Sequence, residues 1–261
     1  MKNYLITTGG SGGHVIPATI LYDHLINKAN VIISTDKRGL NYFDQDRYQF
    51  EIINTPKLSN IFLLPFNSIM ILSLFIKSIF LLKNKRIEKL FSTGGYMSLP
   101  LILAAKFLKL EIYLLEPNLV LGRANKFFLG SCVKIFCYTE NIKNFPVKYR
   151  DKVVVLNPFV KEKIYKLNKN SLNYNKLNLL IVGGSQGASV FDDILKEKVV
   201  SISKKHPIKV IQQTNKKNII DLKSYYEKNN VENLIFNFEK HFENILSKSD
   251  ICITRAGAST L

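Results

Sequence analysis

An α/β fold in two domains is what the sequence predicts, and three observations carry that prediction. Short apolar or β-branched runs alternate with segments of helical length along nearly the whole chain. That is the pattern of parallel sheets covered by helices on both faces. One strand and its glycine turn repeat in register 174 residues later. The first series of strands stops near Asn157–Pro158, and the lysine- and asparagine-rich stretch Tyr165–Lys176 precedes the second series.

In chain order, the first series places strands at Tyr4–Thr8, Val31–Thr35, Phe50–Asn54, Lys89–Ser92, Glu111–Glu116, Val133–Tyr138 and Val153–Leu156. The second places them at Leu177–Val182, Ile208–Gln213, Leu234–Phe238 and Asp250–Thr254. Helical segments lie between them, among them His14–Lys28, Ile69–Lys89 and Ala188–Lys204. The echo aligns Tyr4-Leu-Ile-Thr-Thr-Gly-Gly-Ser-Gly-Gly13 with Asn178-Leu-Leu-Ile-Val-Gly-Gly-Ser-Gln-Gly187, both reading strand, glycine turn, helix. Two such units predict two Rossmann-like domains facing each other across a cleft, residues 1–157 and 158–261. Each would present a glycine loop at the carboxyl end of its first strand.

Composition narrows the classes. The 261 residues are 46% hydrophobic and 22% charged, which is globular and long enough for about two cores. Three cysteines (Cys132, Cys137, Cys252) rule out a disulfide scaffold and form no CxxC pair and no cluster with the four histidines, so no structural zinc site is expected. The apolar run before the first glycines is too short for a signal peptide, and the protein reads as reduced and cytosolic. The net charge of +17 divides into +10 for residues 1–150 and +7 for the remainder. It fits attraction to polyanions or an anionic bilayer, and equally a lysine-rich codon bias, since 31 of the 37 basic residues are Lys. Zinc-finger spacing and RNP-type aromatic motifs are both missing, so no nucleic-acid partner is expected.

Ile61–Leu82 stands apart, being mostly Ile, Leu and Phe with Pro65, Asn67 and Lys77 interrupting it. Its unbroken apolar core is short for a span, which takes about 20 residues. On a helix, Ser73, Lys77, Asn84 and Glu88 would form one narrow polar stripe. Two readings follow: a helix buried in the core, or one whose outer face dips into a membrane surface beside Lys83, Lys85, Arg86 and Lys89.

The chemistry-bearing motifs sit at strand ends. Gly9-Gly-Ser-Gly-Gly13 before His14 lets the backbone turn sharply, and the helix start behind it attracts anions. It fails the dinucleotide fingerprint, because Val15 stands where the third glycine would be, and the only acidic residue near the end of the second strand is Asp36. Walker-type phosphate binding fails too, since no GK[ST] follows. Ser92-Thr-Gly-Gly-Tyr-Met-Ser-Leu-Pro100 is a further glycine turn, and Leu115-Glu-Pro-Asn118 puts a carboxylate and an amide at another strand end. Such edges open on one side of a parallel sheet, so His14, Tyr96, Glu116 and Asn118 can converge on one crevice. Glu116 reads equally as a capping or paired residue. His24, His206 and His241 read as surface or core residues, and Asp44-Gln-Asp46 as solvated surface.

The ordered set GGSGGHVIPA, STGGYMSLP, EPNLVLGRANK, GGSQGA and RAGAST resembles the undecaprenyl-diphospho-muramoylpentapeptide N-acetylglucosaminyltransferase family of peptidoglycan synthesis, over residues 5–261. The resemblance implies two Rossmann-like domains of the GT-B type, the first on the acceptor and membrane side, the second binding the donor. It implies transfer of GlcNAc from UDP-GlcNAc to the muramoyl 4-hydroxyl of lipid I, with inversion, giving lipid II. The work is peripheral, at the cytoplasmic face of the membrane, with no cofactor and no metal held by an acidic motif. Position by position, it implies that Ser11, Gly12, Gly13, Asn118 and Ser185 contact the donor, and that Arg255, Ala258, Ser259 and Thr260 begin the helix under uridine and ribose. His14, Tyr96 and Glu116 match positions suspected of serving the acceptor or the proton transfer, with His14 first as base because imidazole titrates near about pH 6.5. Departures from the pattern are Pro117 for a glutamine, Leu99 for a glycine, and Val160 for an arginine with Lys161 next to it. The family pattern runs on beyond Leu261, so the expectation is a chain truncated within the donor motif, with an incomplete second domain and weakened donor binding. The rival readings are another two-domain lipid glycosyltransferase, a UDP-sugar epimerase, or a non-catalytic membrane-docking module.

Overall fold

The structure is a computed structural model that describes residues 1–56, 64–167, 176–184 and 189–255. Its strands are β1 (Lys2–Thr7), β2 (Ala29–Thr35), β3 (Phe50–Ile52), β4 (Ile87–Ser92), β5 (Glu111–Glu116), β6 (Lys134–Cys137), β7 (Val153–Val155), β8 (Leu177–Val182), β9 (Ile208–Gln213), β10 (Glu232–Phe236) and β11 (Ile251–Thr254). Its helices are α1 (Gly12–Leu25), α2 (Leu64–Asn84), α3 (Leu99–Phe107), α4 (Arg123–Phe128), α5 (Glu162–Tyr165), α6 (Ser189–Ser203), α7 (Ile219–Lys228) and α8 (Phe242–Leu246). The chain divides into two compact units, Met1–Phe159 and Val160–Leu261.

The first unit is a seven-stranded sheet in the order β3-β2-β1-β4-β5-β6-β7, parallel at every pairing. Parallel strands must be crossed over by helices, which cover both faces. On one face Leu5, Leu90, Ile112, Leu114 and Ile135 pack beneath Leu82 of α2 and Leu101, Ile102 and Ala105 of α3. On the other, Ile6, Val31, Ile33 and Phe91 pack against Val15, Ala18 and Tyr22 of α1. The second unit repeats the plan with four parallel strands, β10-β9-β8-β11. Val199 and Val200 of α6 with Leu222 and Tyr226 of α7 cover one face, and Ile245 of α8 the other.

In both units the strand order reverses beside the first strand, between β1 and β4 and between β8 and β11. Chain crossovers leave there in opposite directions, so a crevice opens at the strands' carboxyl ends. The internal echo thus marks equivalent positions. Gly10 and Gly184, 174 residues apart, take φ of 81° and 90° in the turns after β1 and β8, a conformation glycine adopts without strain.

Three expectations need correction. The helix expected at Ile69–Lys89 runs from Leu64 to Asn84, and Arg86 turns the chain at φ 49° before β4. Glu88 therefore belongs to β4 and not to the polar stripe. At 21 residues α2 is as long as the segment expected, and with Phe66–Asn84 at mean hydropathy 1.7 it is long and apolar enough to cross a membrane. Nor is it a wholly buried core helix. Ser78 and Leu82 are buried, but Phe66, Ile69, Met70, Leu72, Ile76 and Phe80 are 38–69% exposed. Of the cations expected beside it, Lys85 and Lys89 are taken by Glu51 and Glu111.

Candidate functional site

The crevice of the first unit is built where β1 and β4 end side by side. Thr93 N–H donates to the Thr7 carbonyl (3.2 Å) and Thr93 Oγ1 to Thr8 Oγ1 (2.7 Å), both threonines fully buried. This fastens the Gly9–Gly13 turn to the Gly94–Gly95 turn. His14, in the first turn of α1, lies between them. Its Nδ1 is 2.7 Å from the Thr93 carbonyl oxygen, which only accepts, so Nδ1 carries the proton. The lone pair of the neutral ring is then on Nε2.

The backbone conformation of Gly94 and Gly95 requires glycine, and at Gly94 so does the close approach of His14. A Cβ on Gly94 would stand 3.3 Å from His14 Cε1, and one on Gly95 3.6 Å from His14 Cδ2, with φ of 93° and 85° at the two positions. Ser11 occupies the N-cap of α1 without bonding its hydroxyl to the helix, and no acidic residue stands in the first turn. Gly12 and Gly13 follow it directly. The positive end of the helix is therefore not offset by an acidic side chain in its first turn.

Glu116 ends β5 and is 2% exposed. Its Oε1 accepts from Asn118 N–H (3.2 Å) and Asn118 Nδ2 (2.9 Å), and its Oε2 from Gly122 N–H (2.7 Å) and Asn125 Nδ2 (3.0 Å). The carboxylate organises the loop from Pro117 to Gly122 through four N–H donors, none of them from a cation. Asn118 is exposed, and with Nδ2 turned to Glu116 its carbonyl oxygen points the other way. Asn125 also donates to the Leu115 carbonyl (3.0 Å) and lies beside Gly94.

Tyr96 is half-buried, and its hydroxyl accepts from Arg38 Nη2, whose guanidinium lies over the ring at 5.5 Å. Asp36 holds Arg38 by a 2.8 Å ion pair to Nε and takes the N–H groups of Gly10 (2.9 Å) and Gly39 (2.8 Å) on its other oxygen. The Asp36 carboxylate is thus occupied within the protein. That pair raises the Arg38 guanidinium against the opposing effect of burial. Sequence reasoning missed Arg38 and Asn125. The available signal was Thr35-Asp-Lys-Arg-Gly39 directly after the strand that neighbours β1.

In the second unit, Arg255 Nη2 donates to the Gly183 carbonyl, joining the RAGAST motif to the glycine turn after β8. Ser185, Ala258, Ser259 and Thr260 lie outside the described residues. Lys161, beside the position of the absent arginine, donates to the Lys240 carbonyl at 3.2 Å. Behind the turn, Asp192 of α6 accepts from Gln212 Nε2 (2.9 Å), Thr214 Oγ1 (2.5 Å) and Asn218 Nδ2 (2.8 Å). His24, His206, His241, Asp44 and Asp46 are all exposed. Among the described residues no three His, Cys, Asp or Glu side chains gather as a metal-ion cluster.

Comparisons with known proteins give the family. Residues 4–137 match the glycosyltransferase family 28 N-terminal domain and residues 178–261 the C-terminal domain of that family. Fold and matched domains define a glycosyltransferase. A UDP-N-acetylglucosamine–N-acetylmuramyl-(pentapeptide) pyrophosphoryl-undecaprenol N-acetylglucosamine transferase of Pelagibacter ubique is 46% identical over 265 aligned residues, covering 100% of this chain and 73% of the relative. The enzyme of the same description from Rickettsia felis is 34% identical, covering 100% and 75%. The chain belongs to this family of N-acetylglucosamine transferases. In fold it is similar to the MurG crystal structure from Acinetobacter baumannii, with TM-score 0.67, 24% identity, and 100% and 73% of the two chains covered. A UDP-GlcNAc 2-epimerase from Neisseria meningitidis, bound to UDP-GlcNAc, shares the fold at TM-score 0.66 and 14% identity, covering 99% and 78%.

Proposed function

We propose that this chain transfers GlcNAc from UDP-GlcNAc to the 4-hydroxyl of the muramoyl sugar of lipid I, forming lipid II, with His14 as the base. The observation that carries the reading is the His14 ring itself, its Nδ1 proton fixed on Thr93 between two glycine turns at the crevice where β1 meets β4. The lone pair on Nε2 takes the acceptor hydroxyl proton, and the freed oxygen attacks the anomeric carbon. The bond from that carbon to the diphosphate oxygen breaks with its electron pair, and UDP leaves. Attack opposite the leaving group inverts the anomeric centre.

On this reading the first unit serves the acceptor, and the second binds the donor. Asn118 offers its carbonyl oxygen to a sugar hydroxyl, and Ser11, Gly12 and Gly13 contact the donor. Glycine-turn and helix-start N–H groups, including that of Ser185, stabilise charge growing on the leaving diphosphate. Arg255, Ala258, Ser259 and Thr260 hold uridine and ribose. Glu116 positions Asn118, and Tyr96 serves the acceptor.

The exposed apolar row of α2 lies against an anionic membrane surface, placing the enzyme peripherally at the cytoplasmic face. The helix lies on the membrane and does not cross it, because its other face is committed to the core through Leu74, Phe75, Ile79 and Leu82. Cell-wall synthesis, and through it cell shape and division, is the process served.

The test is to incubate the purified protein with radiolabelled UDP-GlcNAc and lipid I in detergent. Labelled lipid II with a β linkage is the expected product. UDP-GlcNAc returned unchanged, or epimerised at C2 without transfer, contradicts the reading.

A further inference from the structure

Arg38 lies on the latch between the two glycine turns, and the transfer chemistry above leaves it without a role. Asp36, with its side chain almost wholly buried, ties the Gly10 and Gly39 N–H groups on Oδ1 and Arg38 Nε on Oδ2. Both neighbouring glycines are forced by this. A Cβ on Gly9 would stand 2.7 Å from Asp36 Oδ1, and one on Gly39 2.2 Å from Thr35 Oγ1. From that anchor the guanidinium reaches over to the second turn, where Nη2 donates to the Tyr96 hydroxyl and lies 3.5 Å from Met97 Sδ.

The direction of that hydrogen bond fixes the phenol's proton. A phenol has one proton to donate, and a guanidinium has no acceptor to receive it. The Tyr96 proton must therefore point away from Arg38. We propose that Arg38 is a positioning residue that turns Tyr96 into a hydrogen-bond donor toward an oxygen of the acceptor substrate. The proposal rests on the transfer reading above, in which Tyr96 serves the acceptor. It assigns the fork of Arg38 two simultaneous tasks, gripping Asp36 and orienting Tyr96. Lysine, a point charge without that fork, performs one of them at a time.

The experiment is a double-mutant cycle on the transfer reaction with R38M, Y96F and the pair, plus R38K, with melting temperatures recorded for all four. R38M is expected to lower kcat/KM for the acceptor about 100-fold, the size of a mispositioned contact, and Y96F to do the same. The donor KM should stay within about twofold, the double variant should fall no further than either single one, and R38K should lie between R38M and wild type. Wild-type-like acceptor kinetics in Y96F, or losses that multiply in the double variant, overturn the proposal. A wild-type protein that transfers no sugar overturns the functional reading itself, and this inference with it.

Discussion

His14, Glu116 and Tyr96 occupy the strand ends at which the sequence motifs placed them, but their surroundings differ. His14 has one ring nitrogen bound to a backbone carbonyl and the other left with its lone pair. Glu116 is itself buried and has both oxygens filled by four N–H donors. Glu116→Gln replaces one acceptor oxygen with an NH2 group that faces donors. Loss of about 1–3 kcal/mol of stability is expected, visible as a drop of several degrees in a thermal melt. The pH dependence of turnover should keep its shape, because the base is elsewhere; a lost basic limb in that profile would make Glu116 the base. These three residues were legible because each sits in a local motif. Arg38 was not, since its partner Tyr96 comes from a loop that only the folded sheet brings near, whereas Asn125 lies in the same motif as its partner Glu116 and was not singled out.

The elements were legible where pattern is local and less so at their ends. β5 and β8 fall on the residues that apolar runs indicated, Glu111–Glu116 and Leu177–Val182. β10 ends two residues early, at Phe236, because Asn237 leaves the ladder to bond the Thr214 carbonyl with its side chain (2.9 Å). The outer face of α2 was ambiguous because an all-apolar helix reads alike whether buried or lying on lipid. Its exposed row predicts salt-sensitive binding to anionic vesicles. Exposed cations contribute about 1 kcal/mol each near such a surface. Ile69→Asp with Phe80→Asp should abolish co-sedimentation while leaving the melting temperature nearly unchanged, as exposed positions allow. Undiminished sedimentation would move the docking face elsewhere. In the second unit, Asp192→Asn should cost about 1–3 kcal/mol by urea unfolding. Turning the Gln212 amide to meet the new NH2 only passes the fault to Tyr226, whose buried hydroxyl donates to Gln212 Oε1 at 2.7 Å. An unchanged unfolding midpoint would show that the network relaxes freely.

At the scale of the whole molecule, the two units share the strand order that reverses beside the first strand, and each places a glycine turn at the reversal. The sequence echo revealed that plan because a strand followed by a glycine turn is a contiguous pattern. Burial of the thiols, set by long-range packing, was not legible in it. Burial pushes Cys137 up to about 12 and raises Cys132 as well; desolvation also raises Cys252, which nonetheless stands exposed on β11. A thiol reagent at pH 8 should therefore modify one cysteine in the native protein and three after denaturation, and rapid modification of all three would contradict the packing of β6. The central claim, sugar transfer with His14 as base, is tested most directly by His14→Ala under saturating lipid I. The account predicts turnover reduced about 100- to 10,000-fold, with UDP-GlcNAc affinity by calorimetry changed little. Turnover within a few-fold of wild type would contradict it, and would leave His14 as no more than a spacer between two glycine turns.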